Sequence, residues 1–173
     1  MTAKRIVGLA EEAITHAIIR AFFEVYNTLG YGFLESVYVE ALVRELRRLG
    51  HHVEREVMVR IWYKGEVIAR QRVDMIVDGS VIVEIEAGLA LHSTAPRQLY
   101  NYLRATDKEV GLLLHFGPEA KYFREYCPNS RKDGQSDVSG SVREIRSLPG
   151  SNPTAPSRPV GDHKTHPVIN VTS

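Results

Sequence analysis

The chain has 173 residues, enough for one ordinary domain with a real core, and 43% of them are hydrophobic. With 22 Lys and Arg against 21 Asp and Glu, the net charge is +1, which excludes a generally basic polyanion-binding protein and confines any nucleic-acid contact to a local patch. The lone Cys127 excludes an internal disulfide and makes a poor metal ligand by itself, so a reducing cytoplasm is the expected compartment.

Lys4 and Arg5 are followed by Glu11 and Glu12, which interrupt any signal-peptide apolar run, and no stretch approaches the length of a membrane span. From Ile6 to Leu29, apolar residues recur at helical spacing (Leu9, Ala13, Ala17, Phe22, Val25, Tyr26, Leu29), and Gly30 and Gly32 end the pattern. A second amphipathic helix is expected from about Phe33 to Leu49, with Leu34, Val37, Tyr38, Ala41, Leu42, Leu46 and Leu49 inward and Gly50 as its C-terminal stop.

Three strands follow, at about 53–63, 67–77 and 80–87. Lys64-Gly65 and Asp78-Gly79 between them read as hairpin turns, because glycine supplies the positive φ that tight turns need, and the result is an antiparallel meander. A helix from about Ala95 to Arg104 leads into Val110–Phe116, a near-continuous apolar run typical of a buried strand. The order is ααβββαβ, an α/β (α+β mixed sheet) class.

Beyond Tyr126 the composition turns to Ser, Pro, Gly, Asn, Asp and Thr, so residues 1–126 are expected to fold as one domain and 127–173 to be mostly disordered, with Val142, Ile145 and Leu148 hinting at a short amphipathic piece. Residues 1–126 hold 16 basic and 17 acidic side chains, leaving 6 and 4 of the totals beyond, so the tail is not a strongly basic arm.

The candidate chemistry lies in acids embedded in apolar strands. Asp74 falls in Val73–Val77, and Glu84 and Glu86 fall in Val81–Glu86. An ionised carboxylate beside Val and Ile is costly unless a cation or hydrogen-bond donors compensate it. Alternation places Glu84 and Glu86 on one face, and Asp74 from the neighbouring strand could join them, which is the oxygen chemistry preferred by Mg²⁺ or Mn²⁺. A solvated strand edge is the competing reading. Glu35 and Tyr38 stand one turn apart at the start of the second helix, where an acid is also explained by the helix dipole alone. Gln98, Asn101 and Tyr102 share one helical face, a stripe suited to gripping a phosphate or orienting water, or simply an exposed face with Tyr102 half buried.

Gly32-x-x-Glu35-x-x-Tyr38 resembles the signature of the GxxExxY proteins. Asp74, Glu84-Ile85-Glu86, Gln98-x-x-Asn101-Tyr102-Leu103 and Gly111–Gly117 occur in that family's order and approximate spacing, so the resemblance spans roughly residues 8 to 126. The family in turn is similar to the PD-(D/E)XK nuclease superfamily, and Gln98-x-x-x-Tyr102 is similar to a motif of its RecB-like members.

The resemblance implies a restriction-endonuclease-like core, αβββαβ, preceded here by an additional N-terminal helix. It implies Mg²⁺ or Mn²⁺ held by Asp74, Glu84 and the carbonyl of Ile85, with Glu35 as an outer or second-metal ligand, and Gln98 and Tyr102 steadying the site. It further implies hydrolysis of phosphodiesters in DNA by a metal-activated water. The superfamily usually has Lys where this chain has Glu86, two residues after Glu84. Some relatives with Glu there cleave, with that acid as base or metal ligand, so two readings stand: a working acidic nuclease, or an inactive relative that binds nucleic acid or a protein partner. A solvated structural or regulatory module is a third. His115, where relatives commonly have Asn, reads as packing variation.

Lys64, Arg70, Arg72, Arg97, Arg104, Lys108, Lys121 and Arg124 are candidate phosphate contacts. His51-His52 and His163 with His166 lack the ligand count of a transition-metal site. Trp62 and Tyr63 read as hairpin packing rather than a stacking platform.

Overall fold

The structure, a computed structural model, describes residues 3–131 and 143–144. Two helices, α1 (Ala3–Leu29) and α2 (Glu35–Arg48), precede a hairpin of β1 (Val53–Tyr63) and β2 (Glu66–Val77). Then come β3 (Val81–Ala87), α3 (Ala95–Ala105), β4 (Val110–Phe116), β5 (Ala120–Tyr126) and the two-residue strand β6 (Arg143–Glu144). The sheet order is β1-β2-β3-β4-β5-β6. All neighbours are antiparallel except β3 and β4, which run parallel and are joined through α3. The mixed α/β sheet with its extra N-terminal helix is the restriction-endonuclease-like arrangement expected from the sequence. No helix is long and apolar enough to cross a membrane among the described residues.

The helices sandwich the sheet. On one side Ile18, Phe22 and Val25 of α1 and Tyr38, Leu42 and Leu46 of α2 pack on Met75, Val83, Ile85, Leu112, Leu114 and Phe116. On the other side Leu99, Tyr102 and Leu103 of α3 pack on Val59, Val73, Ile82 and Leu113. Burying apolar side chains on both faces is what the largely apolar strands β3 and β4, broken only by Glu84, Glu86 and His115, require.

Both hairpin turns form as expected. Lys64 and Gly65 (φ 48° and 86°) and Asp78 and Gly79 (φ 50° and 63°) all lie at positive φ, the mirror-image turn whose twist matches paired strands. Asp78 adds local bonds: its carboxylate accepts from the His52 N–H at 2.8 Å and meets His51 Nδ1 at 2.7 Å, which gives His51 a structural role. The second histidine pair, His163 and His166, lies outside the described residues, as does nearly all of the expected disordered tail.

Several expectations need correction. The inward stripe of α1 runs through Ile18 and Ala21, while Ala13 is exposed. In α2, Leu34 (78% exposed) and Val37 turn outward, and Val39 and Val43 are buried instead. The helix begins only at Glu35, so Leu34 belongs to the entry loop, where a helical stripe has no meaning. Tyr102 is buried rather than half buried, and β5 was not expected at all. That strand is largely half-buried, with polar residues between its aromatics, so it lacks the apolar continuity of β4.

Candidate functional site

The site is built where β2 leaves β3. Their ladder pairs Val77 with Val81, Ile76 with Ile82 and Met75 with Val83, then stops. The next residues, Asp74 and Glu84, substitute side chains for backbone pairing: the Ile85 N–H donates to Asp74 Oδ2 at 2.7 Å, and the Asp74 N–H donates to Glu84 Oε1 at 3.2 Å. Each carboxylate therefore holds the other's strand.

The hairpin turns over at the same point. Val73 packs on the α3 side and Met75, two residues on, packs on the α1/α2 side, although strict alternation would give them one face. Across the hairpin, Glu56 lies between the pairs Arg55–Met75 and Val57–Val73 and takes φ 52°, a left-handed conformation uncommon for a residue with a Cβ. The sequence reading did not single out Glu56, and the interrupted apolar phase from Val53 to Val57 is the only trace of this kink in the sequence.

Burial and mutual repulsion load the acids. Glu84 is pushed up to about 8, first by desolvation and then by Asp74, with Glu35 and Glu86 adding to the rise and the Asp74 N–H opposing it. Asp74 is also raised, by burial, against the lowering effects of the Ile85 N–H and the Arg72 guanidinium. Glu35 lies on the exposed first turn of α2, yet burial of its carboxyl and the charges of Asp74 and Glu86 raise it as well. Asp74 and Glu86 thus both act on Glu84 and on Glu35. Among the described residues, however, no three His, Cys, Asp or Glu side chains come close enough to form a ready-made metal cage. The expected convergence is electrostatic rather than a finished three-carboxylate cluster.

The helical parts of the heptad have distinct jobs. Gly32 sits at φ 105°, a conformation that favours glycine. Tyr38 is fully buried and stacks on Phe116 with ring centroids 4.1 Å apart. Its hydroxyl donates to the Gly30 carbonyl and accepts the Phe33 N–H, each at 3.1 Å, so it pins the loop that delivers Glu35.

On α3, the exposed Gln98 donates to the hydroxyl of Tyr102 at 2.5 Å. Burial raises the Tyr102 hydroxyl, as do Glu84 and Asp74, against the Gln98 bond, which ties this helix face to the acids. Glu86 pairs in register with His115 of β4. His115 is buried, its Nε2 lies 3.1 Å from the Gly88 carbonyl, and its Nδ1 has no hydrogen-bond partner among the described residues. Burial holds this imidazole below its usual range, so it is a neutral neighbour and no substitute for a lysine ammonium.

A model of the PD-(D/E)XK nuclease superfamily matches residues 12–125, about two thirds of the chain. The chain belongs to the PD-(D/E)XK nuclease superfamily. No curated protein matches it. A solved structure, that of a protein designated SSO0001, is similar at 20% identity and a TM-score of 0.44, over 54% of this chain and 50% of that one. The match thus spans half of that protein. Of the candidate phosphate contacts, Arg72 lies 3.2 Å from Glu56, Lys121 lies 3.1 Å from Glu119, and Arg97 covers the ring of Tyr100.

Proposed function

We propose that this chain is a divalent-metal-dependent phosphodiesterase acting on DNA, a GxxExxY-type member of the superfamily, whose domain occupies residues 1–126. The observation that carries the reading is the reciprocal bonding of Asp74 and Glu84 at the strand fork. Each acid gives one oxygen to a backbone N–H and retains further acceptor capacity. The donor set fits Mg²⁺ or Mn²⁺, because both acids are raised by burial and a hard cation relieves that cost.

Asp74, Glu84 and the Ile85 carbonyl would hold the cation, with Glu35 reaching it from the opposite helix layer. When bound, the ion supplies positive charge against the negative charge that builds on a phosphodiester under attack. Glu86 would accept the proton of the attacking water. Gln98 and Tyr102, already bonded to each other, would fix the phosphate or water on the α3 side. The cytoplasm is the proposed compartment.

A second reading has its own observation. Glu86 stands where a lysine is usual and His115 beside it is neutral, so the site lacks a water-orienting cation, and a nuclease-fold protein that binds nucleic acid or a protein partner without cleaving it fits that loss. Labelled single- and double-stranded DNA, incubated in Mg²⁺ and in Mn²⁺ with wild type, Asp74→Ala and Glu86→Lys, separates the two. Cleavage by wild type that Asp74→Ala abolishes supports the working site. An inert wild type beside a cleaving Glu86→Lys supports the disabled one.

A further inference from the structure

On the α3 side of the sheet, an open pocket of about 530 Å³ lies between the β1–β2 hairpin and the C-terminal half of α3. Its size falls within the range of ligand sites in proteins. Ile61, Ala69 and Ala105 give it apolar walls, and Gln71, Asn101 and Arg104 bring two amides and a guanidinium to it. The remaining wall is Trp62, which is 57% exposed, against the expectation that it would pack within the hairpin.

The three polar side chains make no hydrogen bond or ion pair among the described residues, so their donors and acceptors are free for a ligand. An amide presents a donor and an acceptor side by side, which matches the mixed edge of a nucleobase. A guanidinium suits a phosphate or stacks on a base, and an exposed indole offers a face for stacking. The pocket also has the right address. Asn101 and Arg104 follow Gln98 on α3 by about 5 and 9 Å along the helix axis, and Gln98 bonds Tyr102, whose hydroxyl senses Glu84 and Asp74.

We propose that this pocket holds one unstacked base of a single-stranded nucleic acid, with Trp62 stacked on it, Gln71 and Asn101 reading its edge and Arg104 on its phosphate. The proposal rests on the phosphodiesterase reading and names the form of substrate that the site receives.

Trp62 is the only tryptophan in the chain, so its fluorescence reports on the pocket directly. The full-length protein is titrated in EDTA with oligo(dT) and with an abasic oligomer of equal phosphate count, following both tryptophan emission and anisotropy of the labelled oligomer. Oligo(dT) is expected to quench the emission, and the abasic oligomer is not. Trp62→Ala and Asn101→Ala are each expected to weaken oligo(dT) binding by about fivefold to a hundredfold, the range for losing a stacked base or a base-edge contact, with circular dichroism unchanged. Binding seen by anisotropy with no change in emission, or equal affinity for the two oligomers, would overturn the pocket and leave the phosphodiesterase reading standing. Quenching in a chain that cleaves no DNA would support the pocket and count against the cleavage reading alone.

Discussion

Asp74 and Glu84 each accept a hydrogen bond from the other's strand: the Asp74 N–H bonds Glu84 Oε1, and Asp74 Oδ2 takes the N–H of Ile85. Two like charges are thereby fixed next to each other in a half-buried fork, an arrangement that is unfavourable until a proton or cation arrives. Asp74→Asn keeps an acceptor for Ile85 and removes one charge. It is expected to leave metal-free stability in urea unchanged or raised, while abolishing metal-dependent cleavage. A loss of more than about 2 kcal/mol in urea, the size typical of an unsatisfied buried group, would mean that the charge itself holds the fork together.

The raised acids set a pH dependence of definite sign. Glu84 is near 8 when folded and near 4.5 when unfolded, so between these values the folded state holds more protons and metal-free stability falls as pH rises. The slope is at most about 1.4 kcal/mol per pH unit for this one group, and Asp74 and Glu35, also raised, act in the same direction. Thermal melts in EDTA should fall from pH 5 to pH 8, and Glu84→Gln should flatten the curve. Mg²⁺ should raise the melting temperature more at pH 8 than at pH 5, because at low pH it competes with protons. A wild-type curve that rises across this window would contradict the burial of Glu84.

Tyr38 connects the heptad to the core. Its hydroxyl satisfies the Gly30 carbonyl and the Phe33 N–H together, so Tyr38→Phe should cost about 1–2 kcal/mol in chemical denaturation and loosen the loop carrying Glu35. Cleavage should fall as well, through Glu35 rather than through any contact of Tyr38 with substrate. Unchanged stability would show that both loop groups find other partners.

Gly111 lets α3 lie against β4. A Cβ there would come within 2.7 Å of Leu99 Cδ1, in a fully buried contact. Gly111→Ala should destabilise by about 1–3 kcal/mol as the helix is pushed off the sheet. The displacement would carry Gln98 and Tyr102 away from the acids, so activity at permissive temperature should fall too. A variant as stable as wild type would show that Leu99 repacks freely.

Much of this architecture is legible in the chain because local chemistry and tertiary context agree. Lys64-Gly65 and Asp78-Gly79 announce their turns, and Val110–Phe116 is apolar but for His115 because helices cover both faces of β4. Leu34 misleads because an apolar side chain next to a helix start looks like part of its stripe, yet its backbone is extended. Strand β5 escapes because Lys121, Arg124 and Glu125 break its apolar pattern, although Glu125 is buried. The acids Asp74, Glu84 and Glu86 stand out because charge inside apolar strands is expensive. Their arrangement does not, since the turnover at Asp74 violates the period-two rule by which a strand is read. The pocket at Trp62 is equally hidden, for it depends on how far the hairpin stands from α3, a distance that no spacing in the sequence encodes.

The central claim is that Asp74 and Glu84 together bind a divalent cation. Mn²⁺ titration at pH 8, followed by electron paramagnetic resonance of the free ion, tests it without relying on cleavage. The account predicts that wild type removes Mn²⁺ from solution at a defined stoichiometry and that Asp74→Asn and Glu84→Gln each abolish the uptake while remaining folded. Wild type that binds none, or variants that bind as well as wild type, would contradict it.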